Sequence, residues 1–137
     1  LPAALAAKAH DSGRFVLCFA GDGDFQMNGA ELGTALQAGL HPVILILNNS
    51  SYGTIRMHQE RAYPARISGT EIVNPDYMSL AAAYGFHGER VTATDQFADA
   101  YARACAAPTG AIVEIVTATE AISPRTTITA LRASAGT

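Results

Sequence analysis

The chain has 137 residues, a formal net charge of −3, 49% apolar residues and only 15% charged residues, enough length for one domain of the common ~100–150-residue size with its own core. The slight negative charge excludes the basic footprint of a nucleic-acid or anionic-membrane binder, and no apolar run reaches the ~18–20 residues needed to span a bilayer. Charged content below the ~25% of ordinary domains, combined with many alanines, predicts that part of this surface is covered by other protein, in the same polypeptide or in a partner subunit; some alanine-rich monomers share this composition.

Leu1 to Lys8 predicts a helix running from the first residue, with Pro2 at a first-turn position where its missing N–H costs nothing. That abrupt start reads either as a deliberately trimmed chain or, the preferred reading, as a fragment cut from a longer enzyme. With no internal repeat and no low-complexity linker, residues 1–137 are expected to be a single domain truncated at its N-terminus. Asp11-Ser12-Gly13 is a turn, Val16–Ala20 an apolar strand, and Gly21 to Asp24 a tight loop. Leu32, Ala35 and Leu36 recur at helical spacing, which predicts a helix over Phe25–Ala38 stopped by Gly39. Val43–Leu47 is apolar without alternation, the pattern of a central strand in a parallel sheet covered on both faces.

Asn48 to Ser51 reads as a loop, and Tyr52–Glu60 as a short helix. Arg61 to Val73 carries Pro64 and Gly69 without periodicity and reads as an ordered surface loop. Asn74-Pro75-Asp76 predicts a helix start, with Asn74 as N-cap, Pro75 at N1 and an acid in the first turn of a helix over Tyr77–Tyr84. His87–Val91 and Ala111–Val116 are strands flanking a helix over Gln96–Ala106 capped by Thr94-Asp95. The Thr- and Ala-rich residues after Thr117 predict either a final helix or an arm packed on a neighbour. Strands alternating with helices at this rhythm give an α/β fold, a doubly wound parallel sheet with helices on both faces.

In such a sheet ligands bind beyond the carboxyl ends of the strands, and Gly21-Asp22-Gly23 and Asn48-Asn49 both stand there. Neighbouring strands lie roughly 4.8 Å apart, so Asp22 and Asn49 can reach one ion. A carboxylate, an amide oxygen and a backbone carbonyl make a hard, oxygen-only set that leaves positions for phosphate oxygens and water, the usual way of holding Mg²⁺. Gly21 and Gly23 allow the backbone to approach a bulky anion, and the next helix points its N-terminus at the same place. The loop lacks the third glycine of GxGxxG, and no GK[ST] motif is present. Alone, a GDG tripeptide is an ordinary turn; the Asn pair across a clean βαβ unit gives it meaning.

Gly21-Asp22-Gly23 followed by Asn48-Asn49 resembles the signature of the diphosphate-binding (PP) domain of thiamin diphosphate-dependent enzymes, the acetolactate synthase, benzoylformate decarboxylase and pyruvate oxidase superfamily. NNSSYGTIRMHQE and NPDYMSLAAAYG also look like family sequence, so the resemblance covers essentially the whole chain. It implies that thiamin diphosphate and Mg²⁺ are the cofactors, with Asp22 and Asn49 as side-chain metal ligands and Ser51 as the main-chain carbonyl ligand. It implies further that Gly21, Gly23 and Asp24 line the diphosphate, and that Tyr52, Gly53 and Thr54 close over it. Asp24 departs from the Ser or Ala of many relatives, and a carboxylate there repels diphosphate unless it turns away or caps the helix.

The resemblance also implies a larger assembly. The family's activating glutamate comes from a pyrimidine-binding domain, usually of a partner subunit, and its glycine-rich segment and cofactor-bending apolar residue fall upstream of Leu1. The expected function is therefore to bind the cofactor's diphosphate as the C-terminal part of a 2-oxo-acid decarboxylase or carboligase such as acetolactate synthase, within a homo-oligomer. The isolated chain is expected to be inactive, and substrate and any FAD are not legible. A reading from another class is a non-catalytic α/β assembly or regulatory module that retains the fold; an intact Asp22/Asn49 pair argues against it.

The remaining candidates have plainer readings. Glu31 is a capping or solvated acid before it is a base. His58 is a packed or exposed histidine before it faces substrate, and Arg56 is a weak candidate for meeting an acidic substrate. His10, His41 and His87 lack metal-ligand spacing. Cys18 and Cys105, without CxxC spacing, read as small buried hydrophobes and fit a reducing cytoplasm.

Overall fold

A computed structural model describes residues 1–135. Helix α1 (Pro2–His10) leads through a turn into β1 (Leu17–Gly21), and the chain bends at once into α2 (Asp22–Asn28). A single 3₁₀ turn, Gly29–Glu31, joins α2 to α3 (Leu32–Ala38), which ends at Gly39 with φ of 64°, a left-handed C-cap. Next come β2 (Val43–Asn48), α4 (Gly53–Ala62), α5 (Tyr77–Ala83) and β3 (His87–Val91). The chain then forms α6 (Phe97–Ala106), β4 (Ala111–Val116) and α7 (Ile128–Ala135). No helix among the described residues is long and apolar enough to cross a membrane.

The strands form one parallel sheet in the order β1-β2-β4-β3. β1 and β2 are therefore neighbours, as the clamp of two strand ends requires, with Gly21 opposite Leu47. Strand residues alternate between faces. Cys18, Ala20, Ile44, Ile46 and Ile112 meet Leu5, Phe25, Leu32, Ala35, Tyr77 and Ala81 from helices on one side. On the other side Val43, Leu45, Ala111 and Val113 meet Ala100 and Ala104 of α6. α6 lies over β3 and β4, so the β1–β2 half of that face stays open, with Phe19 67% and Leu47 42% exposed.

Several expectations need correction. The helix after β1 begins at Asp22, not Phe25, and is broken at Asn28-Gly29 instead of running through to Ala38. Asn28, at φ of −141°, leaves helical geometry there, and Asn-Gly is a poor helix interior. The α5 cap is Asp76, whose Oδ1 accepts from the backbone N–H groups of Met78 and Ser79 at 2.9 and 3.4 Å; Asn74 is engaged elsewhere. Cys18 is buried as expected, but Cys105 is exposed, because α6 buries Ala100 and Ala104 and turns the next position outward. The stretch read as a surface loop contains Thr70, which is fully buried against the site. After Thr117 the final helix is what forms.

Candidate active site: a cavity beyond two strand ends

The carboxyl ends of β1 and β2 open on a cavity of about 610 Å³. Its walls carry Gly21, Asp22, Gly23, Asp24, Asn49, Ser51, Tyr52, Gly53 and Thr54, so every residue expected to hold metal or diphosphate lines one space. Met27, Leu47 and Ile55 form an apolar rim, and residues from Thr117 to Pro124 close the side contributed by the chain after β4.

Both helices that start at this cavity start without a side-chain cap. α2 follows Gly21 and α4 follows Tyr52, and neither cap residue's side chain accepts from the helix. Their first N–H groups and the positive ends of their dipoles are thus available to an anion. Gly23 is needed for packing as well as approach: a Cβ there would lie 2.6 Å from the Tyr52 ring and 3.0 Å from Ile72. Asp24 is exposed in the first turn of α2, and a Cβ on Gly21 would lie 3.1 Å from its Oδ2.

The turn after β2 is held from several directions. Ser50 sits at φ of 53°, a left-handed conformation that costs a non-glycine residue about 1 kcal/mol. Asn48 Oδ1 offsets that by accepting from the Ser50 N–H at 3.0 Å and the Ser50 hydroxyl at 3.2 Å. Asn49 Oδ1 accepts from the Ser51 N–H at 3.0 Å, an Asx turn. Thr70 and Ile72 run antiparallel to the turn: Tyr52 N–H donates to Thr70 O, Ile72 N–H to Ser50 O, and the Ser51 hydroxyl to Thr70 O. From the other side Thr117 N–H donates to Asn48 O at 2.7 Å, and the Thr119 hydroxyl to Asn49 O at 2.7 Å. Among the described residues no donor is bonded to the carbonyl of Ser51.

Asp22 is 2% exposed and Asn49 half-buried. No three His, Cys, Asp or Glu side chains cluster among the described residues. A cation here would therefore meet one carboxylate, one amide oxygen and one peptide carbonyl. These are hard oxygen donors that suit Mg²⁺ and leave room for phosphate oxygens and water. The donor set fits the expected metal.

The chain matches, over residues 1–115, the family described as "Thiamine pyrophosphate enzyme, C-terminal TPP binding domain". The chain belongs to this family. It is 40% identical over 97 residues to the acetolactate synthase isozyme 2 large subunit of Escherichia coli, an alignment covering 70% of this chain and 18% of that protein. It is 35% identical over 121 residues to the acetolactate synthase large subunit of Cyanidium caldarium, covering 87% and 21%. A third relative is the mitochondrial acetolactate synthase catalytic subunit of Saccharomyces cerevisiae, 42% identical over 91 residues, covering 66% and 13%. The chain thus spans about a fifth or less of the length of these relatives.

Other candidates lie outside the cavity. Arg56 is engaged inside the protein: it is 6% exposed, and its Nε donates to Glu60 Oε1 at 2.8 Å. His58 is exposed. Glu31 accepts from the Thr34 hydroxyl, His41 Nδ1 lies 3.2 Å from Thr109 O, and His87 Nε2 lies 2.8 Å from Glu89. Two residues of the site escaped the sequence reading. Glu114, buried in β4, accepts from Asn48 Nδ2 at 2.6 Å and from Arg90 Nε at 2.6 Å. Asn74 reaches Asp22 itself, with Nδ2 2.8 Å from Asp22 Oδ2. A charged residue in the middle of an apolar strand was the available signal for Glu114.

Proposed function

We propose that this cavity binds the diphosphate end of thiamin diphosphate through Mg²⁺. Asp22 Oδ, Asn49 Oδ1 and the Ser51 carbonyl would hold the metal. The N-terminal N–H groups of α2 and α4 would hold phosphate oxygens, and Tyr52, Gly53 and Thr54 would close over them. The observation that carries this reading is the convergence of an oxygen-only donor set and two uncapped helix N-termini on one cavity. Diphosphate carries about two to three negative charges, and Asp22 adds another; without a divalent cation that cluster repels itself in a partly buried site.

The bound cofactor supplies carbanion stabilisation next to a carbonyl carbon, and this chain's residues anchor and orient it. On this reading the chain works as the C-terminal part of a 2-oxo-acid decarboxylase or carboligase of the acetolactate synthase kind. A pyrimidine-binding domain of a partner subunit would supply the activating glutamate, in a homo-oligomer whose neighbouring protein covers the open β1–β2 face around Phe19 and Leu47. The chain by itself would bind without turning over substrate.

Thermal unfolding tests the binding step. A ligand that binds only the folded state raises Tm, so Mg²⁺ and thiamin diphosphate together should raise it, whereas cofactor with EDTA should not. A rise that ignores the metal, or no rise at all, would favour a non-catalytic assembly or regulatory module on the same fold.

A further inference from the structure

Asp22 is the one carboxylate in the proposed donor set, and its bonding partner is set by a residue far away in sequence. Asn74 Nδ2 donates to Asp22 Oδ2 at 2.8 Å and to Asn48 Oδ1 at 2.8 Å, spanning the ends of β1 and β2. Its Oδ1 accepts from the Tyr77 hydroxyl at 3.0 Å and from Gln26 Nε2 at 2.6 Å. The orientation of this amide follows from chemistry. An ionised carboxylate only accepts, and Asn48 Oδ1 is fixed as an acceptor because Asn48 Nδ2 donates to the carboxylate of Glu114. Flipping Asn74 would set its oxygen against two acceptors and its NH₂ against Gln26 Nε2. All four hydrogen-bonding positions of the Asn74 amide are therefore filled, and in one sense only.

The network runs on. Glu114, 4% exposed, is held by Arg90 Nε at 2.6 Å, and Arg90 Nη2 reaches Asp76 at 2.9 Å at the head of α5. The network has a buried centre, Asp22, Asn48, Tyr77 and Glu114, and an exposed edge at Gln26, Asp76 and Arg90. Hydrogen bonds that share partners in this way favour one arrangement, and here they end on one oxygen of Asp22. Partners that orient a metal ligand change metal affinity about 10–100-fold when removed.

We propose that Asn74 is a positioning residue for the cation site: it anchors Oδ2 of Asp22 and ties that carboxylate to Asn48, leaving the other carboxylate oxygen for the divalent ion. The proposal rests on the reading of Asp22 as a metal ligand. It assigns Asn48 and Asn74 to the scaffold and Asn49 to the ion, so two of these three asparagines act through other residues.

The test measures Mn²⁺ binding by electron paramagnetic resonance, with saturating thiamin diphosphate, on protein shown by circular dichroism to be folded at the working temperature. The variants are Asn74→Ala and Asn74→Leu, the second keeping volume without a donor. Both should weaken Mn²⁺ binding by about tenfold or more. Leu5→Ala, which hollows the core beneath α1 at a residue that neither lines the cavity nor bonds to Asn74, should lower Tm while leaving Mn²⁺ affinity unchanged. Wild-type affinity in folded Asn74→Ala or Asn74→Leu overturns the proposal. Should both fail to fold, Tyr77→Phe, which removes only the hydroxyl on Asn74 Oδ1, decides it in the same way: weaker Mn²⁺ binding supports the role, and unchanged binding overturns it. Failure of the wild-type chain to bind Mn²⁺ would instead count against the metal site itself.

Discussion

Arg132 of α7 grips Glu60 of α4 with both arms, Nε 2.9 Å from Oε2 and Nη2 2.8 Å from Oε1. Glu60 is 1% exposed and also accepts from Arg56 Nε and from the Ala65 N–H. One buried carboxylate thus ties the last helix to the helix whose N-terminus faces the cavity. The chain between β4 and α7 lines that cavity, so the same ion pair holds one of its walls.

Removing the carboxylate strands a buried cation. Glu60→Gln leaves Arg56, itself almost fully buried, without its charge partner, and should cost about 3 kcal/mol in urea unfolding. Arg132→Ala leaves Glu60 one guanidinium and should cost less than Glu60→Gln, because Arg132 is partly exposed.

The same group sets an acid limit. Hydrogen bonds from Arg132, then from the Ala65 N–H and Arg56, hold Glu60 down from 4.5 to about 2, against the upward pull of burial. Glu89 is held at about 2 chiefly by Arg103. Carboxylates depressed in the folded state bind fewer protons folded than unfolded, so stability rises with pH across that window. Their contribution should be complete above about pH 4.5 and lost as pH falls through about 2. Urea midpoints at pH 6 and pH 3 should differ, and Glu60→Gln should shrink the difference. An equal difference in that variant would show that other carboxylates carry the effect.

Gly23→Ala drives a methyl group into the Tyr52 ring at 2.6 Å. Overpacking of this kind costs about 1–3 kcal/mol, and here the displaced ring belongs to the turn over the proposed diphosphate. Cofactor affinity should fall by more than the loss of Tm alone accounts for, as read by calorimetric titration of folded protein.

Thr119→Val removes the hydroxyl that donates to Asn49 O while keeping the side chain's shape. We expect a stability loss of about 1 kcal/mol and a several-fold weaker metal-dependent affinity, since the turn carrying Asn49 loses its outer brace. Unchanged affinity would show that Thr117, Thr70 and Ile72 hold the turn without it.

The two strand ends were legible because GDG and NN are local patterns closing apolar runs, and a βαβ unit makes such strands neighbours. Asn74 was not, because Asn-Pro-Asp offers two residues able to cap a helix, and spacing does not choose between them. Its partners Asp22 and Asn48 lie far away in sequence. The brace from Thr70 and Ile72 is mostly backbone hydrogen bonding, which leaves no side-chain signature. Arg56 and Glu60 stand at i and i+4 on one helix, a pairing open to reading, but their burial depends on α7, whose packing the Thr- and Ala-rich tail does not announce.

Calorimetric titration of thiamin diphosphate into the wild-type chain and Asp22→Ala, each with Mg²⁺ and with EDTA, addresses the central claim most directly. Binding in the wild type that requires Mg²⁺ and disappears in Asp22→Ala is the predicted result. Equal Mg²⁺-dependent affinity in the two proteins would contradict it.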